Sequence, residues 1–221
     1  MKRLASAVLA TLATALAASP SQAQIAVGGH VGTTGVGPDL QYRLNDNFTL
    51  RGAADWLDLI YGQSYDGVRY DGRMKLMTGG AFLDWHPWAN PVFLSGGAYF
   101  GDRQVDISAT PAATVTIGGQ SFTPAEVGRL DGRIKMGSAA PFAGVGLDSQ
   151  AGANAKGFGF KGLIGVAFSG RPTVDLSSTG GAFSNTSALL PSLDAERDRI
   201  ADRASFLQYY PVAQVAVNYR F

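Results

Sequence analysis

Charged residues recur at alternate positions along otherwise apolar stretches of this chain. Asp39, Arg43, Arg51, Asp55, Arg73, Lys75, Asp131, Arg133, Lys135, Lys161, Arg171, Asp175 and Arg220 form such a set, nine basic and four acidic. Side chains at every second position of a strand share one face. If the opposite face is apolar and the strands close, these thirteen residues line an interior. Two chemistries follow. The charges can pair and fill the hollow, since buried ions need partners. Or they can leave a narrow polar path whose basic excess favours anionic or zwitterionic solutes.

Other chemistry finds little support. There are only two histidines, His30 and His86. His86 sits between Trp85 and Pro87 in a tight turn, a structural setting. His30 faces inward without the base and nucleophile arrangement that covalent catalysis requires. A lipid-modifying enzyme therefore stands as the weakest of three readings, and no catalytic residue is assigned. Cysteine is absent, which removes disulfides, thiolate metal sites and Cys nucleophiles. No metal-ligand spacing occurs, and no cofactor is expected. The Gly157-Phe158-Gly159-Phe160 stretch lacks the Lys-Ser/Thr of a phosphate loop and alternates as strand.

The first residues read as an export signal. Lys2 and Arg3 precede an apolar stretch from Leu4 to Ala18, then Pro20 and Ser21-Gln22-Ala23. Small residues at 21 and 23 match a cleavage pattern. The expected organisation is a signal peptide over 1–23 and one domain over 24–221. The 18 basic and 17 acidic residues become 16 and 17 once Lys2 and Arg3 are gone, a net charge of −1. Such a balance gives no case for nucleic-acid binding.

The elements that must position the charges are strands. From Tyr209 the odd positions are mostly apolar to Phe221, while the even ones turn polar through Gln214, Asn218 and Arg220. Gly157–Ser177 alternates for about twenty residues, with Phe158, Phe160, Ile164, Val166, Phe168, Pro172, Val174 and Leu176 on the apolar side. Val36–Leu44, Phe48–Ile60, Tyr70–Trp85 and Arg129–Leu147 behave alike. In these, Met74, Leu76, Leu130, Ile134, Met136 and Phe142 are expected outside, and the phase is expected to slip at a bulge at Gly79-Gly80. Ile25–Val31 is a shorter strand with His30 inward; Val92–Ile107 is extended with ambiguous facing. Runs this long exceed an ordinary strand but suit a tilted strand that crosses a bilayer and projects beyond it.

In hydrocarbon every backbone N–H and C=O must be paired, so the sheet must close. The expected fold is all-β: a closed antiparallel up-and-down transmembrane barrel of about eight strands, or ten if 138–141 and Arg171-Pro172 are turns. Tyr42, Phe48, Trp85, Trp88, Tyr219 and Phe221 form one aromatic girdle, and Trp56, Tyr61, Tyr70, Phe158 and Tyr209 the other. Short turns at 45–47, 87–91 and 148–156 face longer segments at 61–69, 108–128 and 178–208, the asymmetry of an outer-membrane barrel. Gly118-Gly119 predicts a small hairpin. The spacing of Leu193, Ile200, Ala204 and Leu207 predicts a helix over 193–207, capped by Ser192. A soluble barrel with the facing reversed is the alternative fold.

The terminal stretch Tyr210-Pro211-Val212-Ala213-Gln214-Val215-Ala216-Val217-Asn218-Tyr219-Arg220-Phe221 resembles the assembly signal of bacterial outer-membrane barrels. Gly35-Val36-Gly37, Leu40 to Asp46 and Pro141 to Leu147 are similar to strands of the OmpW and OmpA-like group. The resemblance implies a monomer in the Gram-negative outer membrane, among lipid and lipopolysaccharide. Through Tyr219 and Phe221 it implies recognition by the barrel-assembly machinery. It carries over no activity. The functional expectation is a narrow porin-like path for small polar or anionic solutes. The alternative is a closed, structural or adhesive barrel whose outer loops bind a partner or lipopolysaccharide.

Overall fold

A computed structural model describes residues 24–65, 68–88, 90–151 and 155–221. Residues 1–23, and with them the expected signal peptide, lie outside it. Five strands open the chain: β1 (Ile25–Gly32), β2 (Gly35–Arg43), β3 (Phe48–Tyr65), β4 (Val68–Trp85) and β5 (Val92–Pro111). A hairpin of β6 (Val115–Ile117) and β7 (Gln120–Phe122) leads to a single helical turn, α1 (Pro124–Val127). Then come β8 (Gly128–Lys135), β9 (Ala139–Asp148), β10 (Gly157–Phe168) and β11 (Thr173–Gly180). Helix α2 (Leu190–Arg203), a 3₁₀ segment (Ala204–Gln208) and β12 (Tyr209–Arg220) end the chain.

Eight staves close the ring. β8 and β9 are one stave, because Lys135 opposes Gln104 and Ala139 opposes Phe100 with the same offset. β10 and β11 form another, neighbouring that stave along its whole length. β12 joins β10 to β1 and seals the barrel. Neither 138–141 nor 171–172 is a turn between staves.

The registers fix the barrel's dimensions. A path perpendicular to the strands leaves Gly157, passes Arg220, Ala26, Gln41, Arg51, Phe82, Gly97 and Phe142, and returns at Ala167, ten residues further along. Eight staves with that stagger tilt by about 40° and enclose a backbone radius of about 8 Å, which side chains can fill. The aromatic girdles agree. Phe158 packs edge-on against Tyr219, and Phe168 against Tyr209. Ten residues separate the two members on each strand. That is about 33 Å along the strand and about 25 Å along the axis, the height of the apolar band of such barrels. Phe158 therefore belongs to the girdle at the termini, not to the opposite one, because β10 begins there.

Beyond the second girdle (Trp56, Phe100, Phe168, Tyr209) β3, β4, β5, β8 and β11 project as a curved sheet. The expected loop at 61–69 is largely strand, since β3 and β4 pair up to Tyr65 and Val68. On the projecting sheet the two faces exchange character. Leu76, Met136 and Val174 are buried inside, while Lys135, Arg133 and Asp175 are exposed outside. The reason is the change of solvent. In hydrocarbon the outer face must be apolar. Past it, water lies outside, and the inner face packs against a lobe. Ile117, Phe122, Val127, Leu189 and Leu193 form that lobe's core, with Leu130 and Leu176 of the sheet against it. The expected hairpin is present, and its Gly118-Gly119 turn has positive φ at both residues (59° and 90°), the two-residue hairpin geometry. The helix begins at Leu190 rather than 193, with Pro191 in its first turn, and Ser192 is inside it.

No bulge occurs at Gly79-Gly80; β4 pairs with β3 and β5 in unbroken register through it. The slip lies in the β10–β11 stave. From Ala167 to Thr173 is six residues, while the opposing positions Phe142 and Lys135 are seven apart. A one-residue slip flips every later side chain. Pro172, Val174 and Leu176 therefore turn inward, and Arg171 and Asp175 outward.

Candidate functional site

Six of the thirteen sequence-predicted residues meet in the barrel interior: Asp39, Arg43, Arg51, Asp55, Lys161 and Arg220, all buried. Arg73, Lys75, Asp131, Arg133, Lys135, Arg171 and Asp175 do not. They lie on the outer face of the projecting sheet, which corrects the expectation that they line the lumen. The misplacement has two causes, the exchange of faces beyond the girdle and the slip at 169–172.

The interior is organised around two carboxylates. Asp84 is fully buried. Lys161 Nζ approaches its Oδ2 to 2.5 Å, Arg51 Nε donates to it at 3.2 Å, and Ser95 Oγ donates to Oδ1 at 2.6 Å. The second carboxylate is Asp55. His30 bridges it, with Nε2 at 2.9 Å from Asp55 Oδ1 and Nδ1 at 3.0 Å from Asp39 Oδ2. The Thr34 hydroxyl and Gln214 Nε2 also donate to Asp55. Nearer the termini, Arg43 and Arg220 both donate to the carbonyl of Gln150, at 2.6 and 2.7 Å. These groups come from seven of the eight staves, so they lock the wall across its own diameter.

An aromatic wedge occupies the rest of the cross-section. Phe82, Tyr99 and Phe142 meet edge to face with centroids 4.8–5.6 Å apart, and Leu163 and Val212 pack on them. The charged and apolar parts touch. The Arg51 guanidinium lies 4.2 Å above the Phe82 ring, and Lys161 Nζ lies 4.4 Å from the Phe93 centroid. Such contacts stabilise a desolvated cation by about 1–2 kcal/mol.

Sequence reasoning missed Asp84, Asp148 and Arg103 as interior groups, while Gln41 and Gln214 lie inward on the polar faces read for their strands. Asp84 was legible from Leu83 and Trp85 on either side of it, had β4 been read in one phase. Arg103 faces inward on β5, where it donates to Ser169 Oγ at 2.8 Å and to the Gly137 carbonyl. That strand gave no clear alternation. His86 stacks loosely on Phe93 at 5.4 Å and makes no catalytic pair. Among the described residues no group of three or more His, Cys, Asp or Glu is placed to hold a metal.

Outside, the projecting sheet carries a ladder of charge pairs. Arg73 meets Asp58, Arg133 meets Asp106 at 2.6 Å, and Lys135 faces Asp175 at 3.7 Å. The hydrogen bond from Arg73 holds the Asp58 carboxyl below the usual carboxylate range. At Asp131 burial acts upward, but the hydrogen bonds from Ser108 and Arg129 outweigh it and the carboxyl is lowered. Within the lobe, Glu126 accepts hydrogen bonds from both the backbone N–H and the hydroxyl of Thr123, which lower it as well.

No family model matches the chain, and no curated protein sequence resembles it. Solved structures share its fold, two of them from Acinetobacter baumannii. Acinetobacter baumannii CarO2 superposes with a TM-score of 0.63 at 26% identity, over 89% of this chain and 98% of that one. Acinetobacter baumannii CarO gives 0.62 at 23% identity, over 92% and 100%. With the closed ring, the girdled apolar wall and these neighbours, the chain is an outer-membrane β-barrel.

Proposed function

We propose that this outer-membrane β-barrel is closed to solutes and serves as a rigid anchor for the lobe at its far end. One observation carries the reading: the cross-section is filled. Asp84, Arg51, Lys161, Phe82, Phe93 and Tyr99 are each at most 5% exposed. A radius of about 8 Å leaves no room for a path beside them. The porin-like alternative requires the Asp84 cluster and the aromatic wedge to move together, which breaks buried ion pairs at about 3–5 kcal/mol each.

The exterior supports the same reading. A wall that only enclosed a pore would not need a second hydrophobic core, yet β6, β7, α1 and α2 build one over the projecting sheet. That lobe gives the barrel a shaped, water-facing surface for a binding partner. Liposome swelling tests the closure. Proteoliposomes holding the mature chain should swell no faster in small sugars, amino acids or carboxylates than protein-free liposomes. Swelling that follows solute size would favour the porin-like path.

A further inference from the structure

We infer that the free edge of β3, from Leu57 to Gly62, is a docking site for an extended segment of a partner polypeptide, which joins the projecting sheet as a further strand. The inference concerns the edge of the sheet, not the lobe, and holds whether or not the lumen conducts.

The open ladder is the first observation. β2 pairs with β3 only as far as Val36 opposite Trp56, whereas β4 pairs with it to Tyr65. Among the described residues no strand takes the β2 side beyond Trp56. The carbonyls of Ala53 and Tyr61 lie beside Gly79 and Gly72 of β4, and those of Ala54 and Trp56 beside Gly37 and Gly35 of β2. Backbone groups of successive residues alternate between the two sides, and one residue's N–H and C=O share a side. Asp58, Ile60 and Gly62 therefore turn theirs to the open edge.

This edge is also unguarded. Sheets blunt an exposed edge with Lys, Pro, a bulge or a covering element. Leu57-Asp58-Leu59-Ile60-Tyr61-Gly62 contains no Lys or Pro, and β3 keeps unbroken register with β4 along it. Its one charge is drawn away from the edge, because both carboxylate oxygens of Asp58 accept from Arg73 of β4, at 2.8 and 2.5 Å. The end strand on the other side of the sheet, β11, has helix α2 against it.

The face beside the edge is the second observation. Leu57 and Leu59 stand opposite Leu76 and Met74, on the concave side. Leu59 and Tyr61 are 54% and 62% exposed, and with Met74, Val105 and Ile107 they wall an apolar hollow of about 360 Å³. Ile60, on the outer side, is 78% exposed.

Together these features select the occupant. Alternate residues of a strand repeat every 6–7 Å or about that, and another extended backbone offers donors and acceptors at the same repeat. Its concave-side residues must be apolar to continue from Leu59 and Tyr61, while its outer residues meet Ile60 and water. Pockets for alternate side chains are how an added strand gains specificity. A second copy in the same membrane does not fit. A two-fold axis along the membrane normal leaves both β3 strands running outward, and strands tilted by about 40° then cross at about 80°, too oblique for a ladder.

The test uses refolded protein spanning residues 24–221 in detergent micelles and follows hydrogen exchange of the amides of 57–62. The probe is a synthetic peptide of about ten residues that alternates Val and Thr between terminal lysines. Its control is the same peptide N-methylated at every internal residue. The probe at about 1 mM should slow exchange of these amides at least about tenfold in wild type and in Leu190→Lys, a change on the exposed lobe. The N-methylated peptide should slow nothing, and the double variant Leu59→Lys/Tyr61→Lys should lose the effect while keeping heat-modifiable gel migration. No slowing in wild type overturns the inference, as does equal slowing by the N-methylated peptide or undiminished slowing in the double variant. Slow exchange that appears when the protein alone is concentrated would mark contact between copies and would overturn it too.

Discussion

Lys161 Nζ and Asp84 Oδ2 lie 2.5 Å apart although 77 positions separate the residues in sequence. The contact runs from β10 to β4 across the interior and ties together staves that do not pair. Asp84 also holds Arg51. Removing the carboxylate leaves the buried Arg51 without its acid and Lys161 with only the looser Asp148 contact at 3.7 Å. Asp84→Ala should therefore lower unfolding stability by about 3–5 kcal/mol, read from urea titration of heat-modifiable migration. The double variant Asp84→Ala/Lys161→Met should recover part of the loss, because one poorly compensated charge goes with it.

The exchange of faces at the girdle is open to labelling, since the chain has no native cysteine. Cysteines at Met77, Ile164 and Val215 should react with lipid-soluble probes. Those at Arg133 and Asp175 should react only with water-soluble ones, and one at Phe142 with neither. Lipid labelling at Arg133 would restore the facing expected from simple alternation.

That comparison shows what the sequence could and could not reveal. Strand existence, length and most bounds were legible in alternation, because hydrocarbon demands an apolar residue at every second position. Tyr209 to Phe221 obeys it throughout. Facing was legible only where hydrocarbon acts. Lys75 and Arg133 alternate as regularly as Arg51, yet sit on the other side, because period two says which residues share a face and not which solvent meets it. The slip at 169–172 was hidden for the same reason: Phe168 and Val174 are both apolar, one for lipid and one for the lobe. The interior cluster around Asp84 depends on strand register, which no single stretch encodes.

Two glycines distinguish wall from wedge. A Cβ on Gly97 would lie 2.2 Å from the Ala81 carbonyl oxygen and 2.6 Å from Phe82 Cδ1, so the bare backbone makes room for the Phe82 ring. A Cβ on Gly162 would meet nothing within 4 Å. Gly97→Val should prevent folding or cost about 2 kcal/mol or more through overpacking. Gly162→Val should be tolerated. Equal refolding yields for both would count against the wedge.

The lobe should respond to acid before the barrel does. Glu126 is lowered by its bonds to Thr123, so its contribution is present above the ordinary carboxylate pKa of about 4.3 and is lost as pH falls through the folded value. Limited proteolysis between 111 and 128 should be slow at pH 7 and fast near pH 3, while the barrel stays protected. Glu126→Gln should cleave faster at pH 7 and flatten that dependence. A wild-type lobe equally resistant at both values would remove the Thr123–Glu126 contact from the account.

Single-channel recording in a planar bilayer tests the filled interior most directly. Refolded protein spanning residues 24–221 should insert without stepwise conductance in potassium chloride, and added carboxylates or amino acids should change nothing. Discrete steps that persist in the wild type, with anion selectivity, would contradict closure by Asp84, Lys161, Arg51 and the aromatic wedge.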